Sequence, residues 1–255
     1  MSLHVRPYKP EDAGAWDDFC SRAHQATFLH WRRFLSYHGE RFKDRSLVIE
    51  EGGRWLGLFP AALSPKDSSC VVSHPGITYG GILHQGRLKG EEMICAVDAI
   101  RRHYVEQGYG RLVYKAVPLT YHQTPSQDDL YALFRRGARL TRCDLSSAID
   151  IKHRLPASGR RRRNFRKSLK TGVFVRESIE LLPDLWLVLT ENLERKYGVQ
   201  PVHKLEEMIL LADRFPANIR CFCAILHDTV VAGVLIFSTP MVNHAQYIAA
   251  SNAGY

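Results

Sequence analysis

Two stretches of the chain hold residue types suited to acid–base or ligand chemistry. The first is a loop, His74-Pro75-Gly76-Ile77-Thr78-Tyr79-Gly80-Gly81, together with Lys115, Tyr121 and His122 farther on. A histidine changes charge near neutral pH, so His122 can serve as base or acid. The Tyr121 phenol can donate to a leaving group, and it can equally serve as an aromatic packing element. His74, Tyr79 and Lys115 offer polar atoms beside Gly80 and Gly81, where a backbone without side chains can approach a ligand. A structural loop and a surface histidine are the competing readings of the same residues. The triplet Gly108-Tyr109-Gly110 reads as a helix cap, because it follows a helix and precedes a strand, the reverse of a phosphate-binding loop.

The second stretch, Gly159 to Thr171, contains seven bases and no acid, with Ser158 placed to cap a helix and Gly172 to stop it. Helical spacing turns Phe165 and Leu169 inward and gathers Arg163, Arg166, Lys167 and Lys170 outside. Like charges so packed repel, and the arrangement becomes favourable when phosphates bind, each arginine offering a planar bidentate fork. Arg162, Arg163, Arg166 and Lys167 are therefore candidate contacts to a phosphorylated ligand or RNA. A solvated charged face is the alternative.

The chain of 255 residues is 45% hydrophobic, enough to bury a core in one large domain or two of modest size. Its net charge of +9 points to anionic partners without choosing among them. The twelve histidines show no metal-ligand spacing, so no metal is expected. The uncharged run Thr229 to Asn243 is too short for a membrane span, which needs about 20 apolar residues. The first residues hold no apolar segment of signal-peptide length, which places the chain in the cytoplasm with its six cysteines reduced and buried as structural thiols.

These groups need elements to position them. His4 to Arg6 reads as a strand, followed by a helix opened by Pro10-Glu11-Asp12 and carrying Trp16 and Phe19. Phe28, Trp31 and Leu35 at helical steps predict a second helix over 28–37. Ser46 to Glu50 and Trp55 to Leu63 flank Glu51-Gly52-Gly53-Arg54, a hairpin signal. Cys70 to Ser73 reads as the next strand, then the loop, then a helix from Leu88 to Gln107 with Met93, Val97, Ile100 and Tyr104 on one stripe. Arg111 to Val117 resumes as a strand. All four tryptophans read as core.

The second half repeats the opening of the first. Ten residues separate Arg6 from Trp16 and Arg176 from Trp186. Arg41-Phe42 ahead of the first hairpin is echoed by Arg214-Phe215 ahead of a second, Ile219 to Leu226 and Val230 to Phe237, and Gly57 and Gly233 hold matching places. In that register Met241 to Ala250 matches Cys70 to Ser73, and Ser251 to Tyr255 matches the loop that follows it. The expected organisation is two units, 1–150 and 151–255, with the second stopping before its later helix and strand.

Strand, helix, helix, hairpin, strand, loop, helix, strand is the order of the acyltransferase superfamily GNAT, and the doubled arrangement resembles its FemAB-like branch. Further likeness lies in His74 to Gly81, in Tyr114-Lys115-Ala116-Val117-Pro118 with Tyr121-His122, in Asp128 to Arg135, and in the basic helix ahead of Gly172-Val173. The resemblance implies a mixed α/β fold of tandem GNAT-like units. It implies transfer of an acyl or aminoacyl group to an amine by direct attack, with a donor of acyl-CoA (acetyl-CoA) or aminoacyl-tRNA. The acceptor is then an anionic small molecule such as a nucleotide-linked sugar or cell-envelope precursor. Neither half shows the Arg/Gln-x-x-Gly-x-Gly/Ala loop by which such proteins cradle coenzyme A, which keeps tRNA open as a partner. A non-catalytic module binding RNA or a phosphorylated ligand on the same scaffold is the rival reading.

Overall fold

The structure, a computed structural model, describes residues 3–254. Tyr255, with which the expected second loop ends, lies outside the described residues, as do Met1 and Ser2. The chain divides into two compact units, Met1–Arg139 with Thr239–Val242, and Leu140–Ser238 with Asn243–Tyr255.

The first unit opens with strand β1 (His4–Pro7) and helix α1 (Ala13–Arg22), which buries Trp16 and Phe19. The helix expected over 28–37 is broken. Phe28–His30 forms a 3-10 turn, Trp31 is extended, and only α2 (Arg32–Leu35) is α-helical. The break has a polar cause: the Asp17 carboxylate accepts the amides of Arg32 and Arg33 and so caps a new helix start at that point. Strands β2 (Leu47–Glu51) and β3 (Arg54–Phe59) form the hairpin, with Gly52 and Gly53 both at positive φ as a two-residue turn requires. The chain continues as β4 (Ala62–Ser64), β5 (Asp67–Val72), β6 (Leu83–His84), α3 (Glu91–Glu106), β7 (Arg111–Val113) and α4 (Asp128–Arg135).

These strands make two sheets, β1-β2-β3-β6 and β4-β5-β7. The segment read as the next strand, Cys70 to Ser73, lies at the end of β5 and pairs in the second sheet, antiparallel to β4 and parallel to β7. The other neighbour of β3 is β6, two residues in the stretch between the His74–Gly81 loop and the expected helix, where the sequence shows no strand signal. The core joins Leu47, Ile49 and Phe59 to Met93, Val97, Ile100 and Tyr104, the expected stripe of α3. That helix starts later than its periodicity suggests, because Gly90 adopts positive φ and donates its amide to Asp128, while Leu88 drops into the core.

The second unit contains α5 (Gly159–Lys170), β8 (Phe174–Glu177), α6 (Leu182–Tyr197), α7 (Leu205–Arg214), β9 (Ile219–Leu226), β10 (Thr229–Ser238) and β11 (Asn243–Ala250). Its sheet order, β8-β9-β10-β11, follows the pattern of β1-β2-β3-β6: an opening strand antiparallel to the first hairpin strand, then its partner, then a further strand. The correspondence reaches single residues. Gly57 faces Ile49 across the first hairpin and Gly233 faces Cys223 across the second. The partner of β11 in this scheme is β6, which corrects the match to Cys70–Ser73. Trp186 packs in the core of α6 with Leu182, Leu185 and Leu189, as Trp16 does in α1, whereas Trp31 and Trp55 are only half-buried. Cys20, Cys70, Cys221 and Cys223 are buried, but Cys95 and Cys143 are exposed, against the expectation that all six lie inside.

Candidate functional site

In the first unit the loop His74–Gly81 is held by the end of β7. The Ser73 hydroxyl accepts the Lys115 amide at 2.6 Å, and the Lys115 carbonyl accepts the Gly80 amide at 2.8 Å. The two ends of the loop come so close that a Cβ at Gly80 would lie 1.9 Å from the Ser73 carbonyl oxygen. The Lys115 ammonium donates to the carbonyls of His74, at 3.1 Å, and of Ile77, so it is spent on the loop's own backbone. Gly81, at positive φ, lies under the Tyr114 phenol, which accepts the Ile82 amide.

His74 is a non-glycine residue at φ +40°, a strained conformation that concentrates at functional sites. Its ring is buried, stacked 5.5 Å from His38 and set edge-on to Phe42. Burial first, and then His38, Arg32, Lys115 and His30 nearby, push its pKa well below the ordinary histidine value, so the ring is neutral. The Gly76 amide donates to His74 Nδ1, which places the proton on Nε2. His30 repeats this arrangement: Nδ1 accepts the Thr27 amide at 2.9 Å, and burial pushes the pKa down to about 4.

Arg32 completes the group. Its guanidinium lies 3.4 Å from the Tyr8 ring centroid and 4.0 Å from that of Trp16, and one nitrogen pairs with Asp44. Its Nε and Nη2 are buried without a hydrogen-bond partner among the described residues. Tyr79 joins this cluster to the more distant candidates, with its ring 5.6 Å from His30 and 4.6 Å from Tyr121. Burial raises the pKa of both phenols, which keeps them protonated as donors.

The structure thus brings His74, Tyr79, Gly80, Gly81, Lys115 and Tyr121 together. His122 follows Tyr121 but belongs to a neighbouring polar group: its Nε2 donates to the Val117 carbonyl at 3.1 Å, and its buried Nδ1 has no partner among the described residues. That group is centred on His84, whose Nε2 meets Gln25 at 2.7 Å and whose pKa burial lowers to about 4. Sequence spacing missed His30, Arg32, His38 and His84. The available signal was three polar residues set into the apolar run Phe28–Leu35 and its continuation.

Arg162, Arg163, Arg166 and Lys167 lie on α5, in the second unit. Ser158 caps the helix through the Arg161 amide, and Arg160, Arg163, Asn164, Arg166, Lys167 and Lys170 border one solvent-open face. Phe165 and Leu169 do not turn inward: they are 63% and 54% exposed, because no apolar element of this unit covers that side. Among the described residues no group of three or more His, Cys, Asp or Glu could hold a metal ion, and no helix is long and apolar enough to cross a membrane.

No protein-family model and no curated protein sequence matches the chain. Solved structures do. FemX superposes with a TM-score of 0.57 at 11% identity, over 98% of this chain and 81% of FemX. L-PGS from Bacillus licheniformis superposes with a TM-score of 0.59 at 14% identity, over 96% of this chain and 66% of L-PGS. The chain shares the fold of these two proteins, the FemAB-like fold that its order of elements resembles. The mixed α/β architecture expected from the order of elements is that of this fold. A tandem GNAT protein from the clavulanic acid biosynthesis pathway also aligns, with a TM-score of 0.45.

Proposed function

We propose that the chain is an acyl- or aminoacyl-transferase that acylates an amine of an anionic acceptor, such as a nucleotide-linked sugar or cell-envelope precursor. The observation that carries this reading is the donor-rich cluster around His74. Among the described residues Arg32 Nε and Nη2 are buried donors lacking acceptors, and His74 is held neutral with its proton on Nε2. Buried donors without partners are costly, and they suit a carboxylate, a phosphate or the oxyanion that develops when an amine attacks an ester or thioester.

In this reading Tyr121, protonated over the physiological range, donates to the leaving group. His122 is the base: with Nε2–H donated to Val117, Nδ1 keeps its lone pair for the ammonium proton of the acceptor. His74, Tyr79, Gly80, Gly81 and Lys115 shape the acceptor site, and Arg162, Arg163, Arg166 and Lys167 take phosphates. No covalent intermediate is required. The donor is acyl-CoA, acetyl-CoA in the simplest case, or aminoacyl-tRNA, and the work is done in the cytoplasm.

The test is transfer from acetyl-CoA and from aminoacyl-tRNA to amine-bearing nucleotide sugars, followed by mass spectrometry. Tyr121→Phe and His122→Ala should each lower turnover about a hundredfold while the protein stays folded, within the range of general acid–base groups. Unchanged turnover in both variants removes the catalytic assignment. If neither donor supports transfer while polyanions still bind through the exposed cations of α5, the chain is a non-catalytic RNA- or phospholigand-binding module on a GNAT scaffold.

A further inference from the structure

Helix α5 has two faces that differ in chemistry. At about 100° per residue, Phe165 and Leu169 form a stripe roughly 160° round the helix from the cluster of Arg160, Arg163, Lys167 and Lys170. Arg161 and Arg162 flank the stripe, where long side chains can lie along an apolar surface and keep their charge outward. The apolar side chains are solvent-exposed, and after the stop at Gly172 the exposed Phe174 and Val175 of β8 follow. From Ile151 to Arg176 the chain has ten Lys or Arg and no acid, with Ile151 and Leu155 exposed as well.

A solvated charged face would not expose this many large apolar groups in one segment, and an RNA interface makes little use of them. Leu155, Leu169 and Val175 are aliphatic and cannot stack on bases, so Phe165 and Phe174 are the stacking groups that this exposed set supplies. An anionic lipid surface uses both faces at once: acyl chains take the apolar stripe, and headgroup phosphates take the surrounding cations. We infer that α5 and the residues around it are a peripheral docking surface for a membrane rich in anionic phospholipid. The protein lies on the bilayer through this segment and does not span it. The inference goes beyond the transferase reading and does not depend on it.

Co-sedimentation of the full chain with vesicles tests it without any assay of turnover. Vesicles of phosphatidylcholine with about a third phosphatidylglycerol should bind the protein, and phosphatidylcholine alone should not. Phe165→Ser with Leu169→Ser, at positions exposed enough to leave the fold intact, should weaken vesicle binding roughly tenfold. The same double variant should bind a single-stranded RNA oligonucleotide as the parent does, since its cations are untouched. Arg162→Ala, Arg163→Ala and Arg166→Ala together should weaken vesicle binding and flatten its salt dependence. The inference fails if the parent ignores anionic vesicles, if the double variant binds them equally well, or if RNA binding falls in step with vesicle binding. Thermal unfolding of each variant confirms that a loss is not misfolding.

Discussion

Asp129 is drawn out of water by burial, which raises its pKa, and the Tyr114 hydroxyl donates to it at 2.6 Å. The same phenol accepts the Ile82 amide at 2.8 Å, so one oxygen ties α4 to the loop that follows Gly81. Tyr114→Phe removes both bonds and leaves the carboxylate with backbone donors, the Leu130 amide among them. A loss of about 2 kcal/mol is expected in urea unfolding, the scale of a hydrogen bond to a charged group. A change under about 0.5 kcal/mol would mean that Asp129 is satisfied by another route. At this scale the sequence was informative where glycine and proline restrict the backbone, and weak where a polar residue is buried. The loop from His74 to Gly81 was legible because three glycines, a histidine and a tyrosine stand together. Arg32 and His30 were not, because only the tertiary contacts with Tyr8, Trp16 and Tyr79 take those side chains out of solvent.

Elements were legible where their signal is local. The Gly52-Gly53 turn, the stripe of α3 and the cap of α5 depend on near neighbours in sequence, and the structure contains all three. The short helices between 28 and 41 obey a distant carboxylate, Asp17, which no periodicity reveals. The inward placing of Phe165 and Leu169 failed for a related reason: an i,i+4 apolar pair marks a face, not whether anything covers it. The repeat makes its own demand on the elements. In β3 a Cβ at Gly57 would come within 2.8 Å of Leu88 Cδ1 and 2.9 Å of the Leu83 carbonyl, and in β10 a Cβ at Gly233 would come within 2.8 Å of Leu185 Cδ1 and of the Phe222 carbonyl. Backbone oxygens cannot step aside as a leucine tip can. Gly57→Ala and Gly233→Ala should therefore each destabilise by about 1–3 kcal/mol. Equal stability of either variant, read by urea unfolding, would show that its hairpin strand and the neighbouring segment are not held at this spacing.

Across the whole molecule the buried histidines are unevenly shared. His30, His74 and His84, all in the first unit, have pKa values lowered by burial, to about 4 for His30 and His84 against 6.5 for an unperturbed ring. In the second unit His244 is lowered as well, and it is half-buried. A histidine whose folded pKa is depressed stays neutral in the fold while the unfolded chain takes up a proton. Its contribution is thus intact above about pH 6.5 and is lost as pH falls toward 4. For His30 and His84 the loss approaches about 3 kcal/mol each over that window. Acid should therefore unfold the first unit ahead of the second, read from hydrogen exchange of α3 and α6 between pH 7 and pH 4. Simultaneous loss of protection in both helices would refute the assignment.

The cysteines have a use that their chemistry alone does not suggest. Cys95 is exposed on α3 in the first unit and Cys143 is exposed in the second, while Cys20, Cys70, Cys221 and Cys223 are shielded. The natural chain therefore carries one accessible thiol per unit, a ready pair of attachment points for a donor and an acceptor fluorophore. Energy transfer between them would act as a ruler, reporting the separation of the units and any change in it when a donor, an acceptor or a vesicle is added, with no residue replaced.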